Sequence, residues 1–137
     1  MSKLVKAPQS LYLQLNSDKN STIPYINLYI ADVPLKRLFL ELAFEMKPFW
    51  NSLPYTNIRE FSAYMGRQSY TVFSAKIHQL LELDAICIHR NYLYVNPFLA
   101  TKSSKIYDSV EELFTENGKY RIEEKIKTYI AQLGGGI

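Results

Sequence analysis

The sequence predicts an α+β fold, and three observations carry that prediction. Two apolar stripes at helical spacing, one from Ile58 to Met65 and one from Tyr70 to Leu81, are separated by a turn containing Gly66. After Asp84 the period changes from helical to alternating, giving Ala85–His89 and Tyr92–Val95 with only Arg90 and Asn91 between them. Alternating runs also precede the helices, over 11–15 and 25–30. A helix pair followed at once by a short hairpin is the order of a winged helix-turn-helix, here with an N-terminal β-hairpin and C-terminal helices.

Residues 1–10, with Lys3 and Lys6, read either as a frayed terminus or as a basic arm that touches phosphate. Leu11, Leu13 and Leu15 alternate with Tyr12 and Gln14, as Ile26, Leu28 and Ile30 do with Tyr25, Asn27 and Tyr29, so two half-buried strands joined by polar turn material are expected. Two strands alone are marginally stable, and this hairpin must cover one end of the domain or pair with the wing. Asp32 then reads as an N-cap with Pro34 in the first turn, and Leu35, Leu38, Phe39, Leu42 and Met46 form one apolar stripe until Pro48. Phe49, Trp50 and Leu53 fall in the connection that follows, where they are expected to plug the edge of the core.

The first helix of the pair starts at Asn57, which with Glu60 matches a capping box, and places Ile58, Phe61 and Met65 on one face before Gly66 ends it. The second spans Gln68 to Leu83. Its core side is Tyr70, Phe73, Ile77, Leu80 and Leu81, periodicity favouring Phe73 over Val72. The opposite side carries Gln68, Thr71, Val72, Ala75, His78 and Gln79, polar or small residues that let another molecule come close. In the hairpin, Asn91 suits a two-residue turn because Asn tolerates positive φ, and His89 and Arg90 lie near the tip.

The helix pair, the short wing and its exit through Tyr94-Val95-Asn96-Pro97 resemble the replication protein L family of Firmicutes plasmids, over about Tyr25 to Lys105. In that family a winged helix-turn-helix domain also leaves its wing through a Tyr/aliphatic-Asn-Pro segment. The resemblance implies a role in replication initiation.

Beyond the wing, 98–106 reads as a polar, mildly basic loop containing Lys102, Ser103, Ser104 and Lys105. Ser109 with Glu112 suggests a second capping box, opening a short helix through Leu113 and Phe114 that ends at Gly118. From Tyr120, Ile122, Ile126, Tyr129, Ile130 and Leu133 recur at helical spacing, and this stripe must pack on its own domain or against the same helix of a second chain. The chain thus divides into a winged-helix DNA-binding domain with N-terminal strands over 1–106 and a helical extension over 107–137, a candidate dimerisation element.

A hydrophobic share of 47% suits a globular core for 137 residues, so disorder is not the expected main state. No stretch approaches the roughly 18–20 consecutive apolar residues of a membrane span, and the N-terminus lacks a secretory h-region. With a single Cys excluding an internal disulfide, the expected compartment is the cytoplasm. The net charge of +3 is modest for a nucleic-acid binder, so its distribution matters more. Residues 57–106 hold six basic side chains against three acidic ones, whereas 107–137 hold four against six.

Reading DNA with this design requires a helix in the major groove and flanking groups that grip phosphate. Arg67, Gln68 and Ser69 lie at the helix N-terminus, where free N–H groups favour phosphate. Gln68, Thr71, Ala75 and His78 are the candidates for base edges, Gln for adenine and the Thr and Ala methyls for thymine. Lys76 on the helix flank and Arg90 at the wing tip are the further backbone or minor-groove contacts. No catalytic role is expected, since there is no Gly-rich phosphate loop, nucleophile elbow or clustered His pair. Asp84, Cys87 and His89 lack the spacing of a zinc module, and no metal or cofactor is expected. These readings converge on a sequence-specific double-stranded DNA-binding protein of a plasmid, phage or other mobile element, expected to act as a homodimer in replication initiation or transcriptional regulation. The competing expectation is a winged-helix protein-interaction module without DNA binding.

Overall fold

The computed structural model describes residues 2–7, 30–67 and 69–114. Among them the fold is mixed α+β, with four helices and two small antiparallel sheets. The strands expected over 11–15 and 25–29, the terminal helix from Tyr120, Gly118 and Gln68 lie outside the described residues; Ile30 lies within them and is buried.

Helix α1 (Val33–Glu45) begins at Asp32, whose extended backbone turns its Oδ1 onto the Leu35 N–H at 2.9 Å, with Pro34 in the first turn where no donor is lost. Its whole expected stripe, Leu35 to Met46, is buried. Helix α2 (Ile58–Tyr64) is capped by Asn57, whose Oδ1 accepts from the Glu60 N–H at 2.8 Å. It ends in a left-handed Gly66 (φ 68°), with Gly66 N–H on the Ala63 carbonyl and Arg67 N–H on the Ser62 carbonyl. This pair of bonds is a Schellman motif. Helix α3 (Tyr70–Glu82) ends the same way, except that the left-handed residue is Asp84 (φ 58°) and Ala85 N–H reaches back to Leu80. It buries Phe73, Ile77 and Leu80. Tyr70, expected in the core, is 37% exposed, because its first-turn position carries it past the core edge and onto Arg59 of α2.

Strands β3 (Ile86–His89) and β4 (Tyr92–Val95) form the expected hairpin, closed by Arg90 and Asn91. The left-handed residue of that turn is Arg90 (φ 56°), not Asn91. Asn91 instead fixes the loop through its carbonyl, which accepts from Tyr55 N–H at 2.9 Å. The connection after α1 is more ordered than its composition suggests. It contains strand β2 (Ser52–Pro54), which pairs with β4 so that Leu53 faces Leu93, and the sheet order is β2-β4-β3. Leu53 is core, as expected of a plug, but Phe49 and Trp50 remain partly exposed, and Trp50 stacks at 4.0 Å on Tyr107 instead.

Two buried asparagines hold this arrangement together. Asn51, with φ 50°, donates from Nδ2 to the carbonyls of Val95 (3.1 Å) and Ala100 (2.8 Å). Asn96 donates to the Asp84 carbonyl at 2.7 Å and accepts from Phe98 N–H at 2.9 Å, tying the end of α3 to the exit from β4. The asparagine of the Asn-Pro pair after the β3–β4 hairpin therefore has a structural reason: a buried amide can satisfy backbone groups that the turn leaves unpaired.

The termini of the described region correct three expectations. Residues 4–6 are not a loose arm but strand β1 (Leu4–Lys6), paired antiparallel with β5 (Lys105–Tyr107). The segment 98–106 is correspondingly not an open polar loop, because Leu99, Ala100, Thr101 and Ile106 are buried. Helix α4 (Asp108–Leu113) starts directly from β5 with Tyr107 at the N-cap. Ser109, expected to cap it, lies inside the helix and its Oγ accepts from Ser2 Oγ at 2.7 Å. Residues 106 and 107, between which the sequence suggested a division, are consecutive residues of β5.

Candidate nucleic-acid interface

Burying Phe73, Ile77 and Leu80 fixes which way α3 faces, and the other side is left open. Ser69, Thr71, Val72, Ala75, His78 and Gln79 are all exposed, Val72 at 52%. Thr71, Ala75 and His78 recur every three or four residues, with Gln79 four beyond Ala75, and so share one strip of the helix. This face carries no bulky charge before Glu82 near the helix end. Small residues at Thr71 and Ala75 let a partner approach the helix backbone.

His78 is oriented locally. Its Nδ1 lies 2.8 Å from the Ser74 carbonyl, which can only accept, so Nδ1 carries a proton and Nε2 is the ring nitrogen left for another molecule. At the N-terminus of α3, Ser69 makes no side-chain capping bond, and the first-turn N–H groups lack that partner.

The other candidates group differently. Arg67, Ser69 and Lys76 line a cleft of about 380 Å³ between α1 and α3, together with Pro34, Arg37 and Glu41 of α1. Arg67 pairs there with the Glu41 carboxylate, and its guanidinium lies 5.7 Å from the Phe73 ring centre. Arg90 lies on a separate element, the exposed β3–β4 turn. Arg37 and Glu41 were not singled out from the sequence. Their signal was faint: an oppositely charged pair at i, i+4 on α1, off the apolar stripe.

Asp84, Cys87 and His89 do not assemble into a ligand set; among the described residues no three His, Cys, Asp or Glu side chains come together. Burial, with a smaller contribution from Asp84, pushes the Cys87 thiol up to about 12. Burial likewise raises the Tyr55 and Tyr94 hydroxyls. Cys87 is therefore a protonated β-strand residue near neutral pH. It should alkylate at least about 100-fold more slowly in the folded protein than after denaturation, as followed by mass spectrometry; equal rates would disprove this. Because its folded pKa is raised, its contribution to stability is full below about 9 and is lost as pH climbs toward about 12.

No helix among the described residues is long and apolar enough to cross a membrane. Compared with family models, curated proteins and solved structures, the chain matches none.

Proposed function

We propose that this chain is a sequence-specific double-stranded DNA-binding protein built on a winged helix-turn-helix, with α2 and α3 as the helix pair, α3 as the reading helix and β3–β4 as the wing. The observation that carries the reading is the open strip Thr71, Ala75 and His78 on a helix whose opposite side is locked into the core. The scaffold supports it: helix, short strand, helix, helix and hairpin in that order, the short strand pairing onto the second strand of the hairpin, is the arrangement expected of a winged helix. A single reading helix covers few base pairs, so the protein acts as a homodimer on adjacent half-sites. The likeness of the wing exit to replication protein L favours replication initiation on a plasmid, phage or other mobile element, and a transcription regulator would use the same face.

Selection of random-sequence duplex DNA at near-physiological salt tests this. The expected result is an enriched palindromic motif, bound with a log–log salt slope near −0.9 per phosphate contacted. Ala75→Glu should then lower affinity by about 100-fold or more, since it sets a carboxylate among phosphates while Glu remains a good helix former. No enrichment and no salt dependence would refute the reading.

One observation favours the second reading, a winged-helix protein-interaction module. Val33, Phe44 (68% exposed), Phe49 and Trp50 present apolar surface outside α3. A partner held there would bind with little sensitivity to salt and would ignore Ala75→Glu.

A further inference from the structure

The cleft between α1 and α3 contains three cationic side chains, Arg37, Arg67 and Lys76, and one carboxylate, Glu41. Glu41 engages Arg67 through Nη2, while the Arg67 Nε–H is buried and has no acceptor among the described residues. One anionic group thus occupies the cleft but leaves unpaired the Nε–H, which shares an edge of the guanidinium with Nη2. A phosphate offers three or four acceptor oxygens at tetrahedral spacing, enough to bridge the Nε–H and Nη2–H of Arg67 and to accept from Lys76 and Arg37, which line the same cleft.

We infer that this cleft seats a single phosphate group and that Glu41 is its resident competitor, holding Arg67 until a phosphate displaces it. The inference rests on the DNA-binding reading for the source of that phosphate, the backbone flanking the bases read by α3. Glu41 then acts as an intramolecular brake: every phosphate that enters must first break the Glu41–Arg67 pair. Removing the carboxylate should tighten phosphate binding at the cleft, and the gain should require Arg67.

Two measurements test it on the full chain. In the first, the Arg67 Nε–H resonance is followed while inorganic phosphate is titrated at constant ionic strength, with chloride as the control. A saturable shift is expected, about threefold to fivefold tighter in Glu41→Gln than in the parent chain, the range available to a partly exposed ion pair. In the second, duplex affinity is measured against salt. Glu41→Gln should tighten it by a similar factor, Glu112→Gln on α4 should not, and Arg67→Gln should abolish the Glu41→Gln gain and make the slope shallower by about 0.9. Absence of a saturable phosphate response at Arg67 in Glu41→Gln overturns the proposal whatever DNA does. A phosphate response without duplex binding keeps the cleft as a seat for a free phosphate compound and sinks the DNA reading. Duplex binding without any phosphate response sinks the cleft and leaves the DNA reading standing.

Discussion

Phe61→Ala is expected to lower the free energy of unfolding by about 3–5 kcal/mol, the range for deleting a fully buried aromatic ring. Phe61 is 1% exposed and lies between the helices that present the open face. Its ring centre is 5.3 Å from Tyr55 and 5.9 Å from Phe73, so the same ring joins the strand-to-helix connection, α2 and α3. A methyl group cannot fill that space, and helices held by other contacts collapse into it only in part. Urea denaturation should show a lower midpoint at an unchanged slope. Tyr64, next on the same helix and 54% exposed, stacks on Phe61 from outside at 6.0 Å. Its truncation should cost about 1 kcal/mol or less. Equal costs for the two would show that Phe61 is not the keystone of this packing.

Asn51→Asp should be the most damaging change of a single atom type, about 3 kcal/mol or more at neutral pH. The substitution preserves shape and the left-handed backbone that Asn and Asp both tolerate. It replaces an NH₂ that donates to Val95 and Ala100 by an oxygen facing the same two carbonyls, at a site only 1% exposed. Burial and the carbonyl dipoles disfavour the charged form, so the new carboxyl has a folded pKa raised above its unfolded value of about 3.9. Above that value the unfolded chain releases the proton first, the native state binds more protons, and stability falls as pH rises. The deficit relative to the parent chain should therefore shrink on going from about pH 7 toward about pH 4.5. A deficit that is constant with pH, or larger in acid, would mean that the asparagine fills space and does not donate.

Elements stabilised by their own near neighbours could be read from the chain. The α1 stripe, the Asn57 and Asp32 caps and the β3–β4 alternation each involve residues within a few positions of one another, where spacing is a direct consequence of helix and strand geometry. Three-residue strands carry no period. β1, β2 and β5 exist because a distant segment supplies their hydrogen bonds, as when Leu4 faces Tyr107 across the β1–β5 ladder. Left-handed backbone at Phe49 and Arg90 is equally silent, since neither is a residue that advertises it. For the candidate site, periodicity identified the open strip on α3. It could not show that Arg67 pairs with Glu41, because the partner lies on α1, far back along the chain.

The pairing of β1 with β5 orders events in time. Helix α2, helix α3 and the hairpin join segments adjacent along the chain, so their association closes short loops and can proceed early. The small sheet must bring together segments about a hundred residues apart for three residues of ladder, and the entropy of that closure is affordable only after the intervening chain has collapsed. Tyr107, which donates to the Phe49 carbonyl at 3.0 Å and stacks on Trp50, supplies the landing point on the already folded part. The N-terminal strand is therefore expected to close last on the scaffold and to be released first when the chain unfolds.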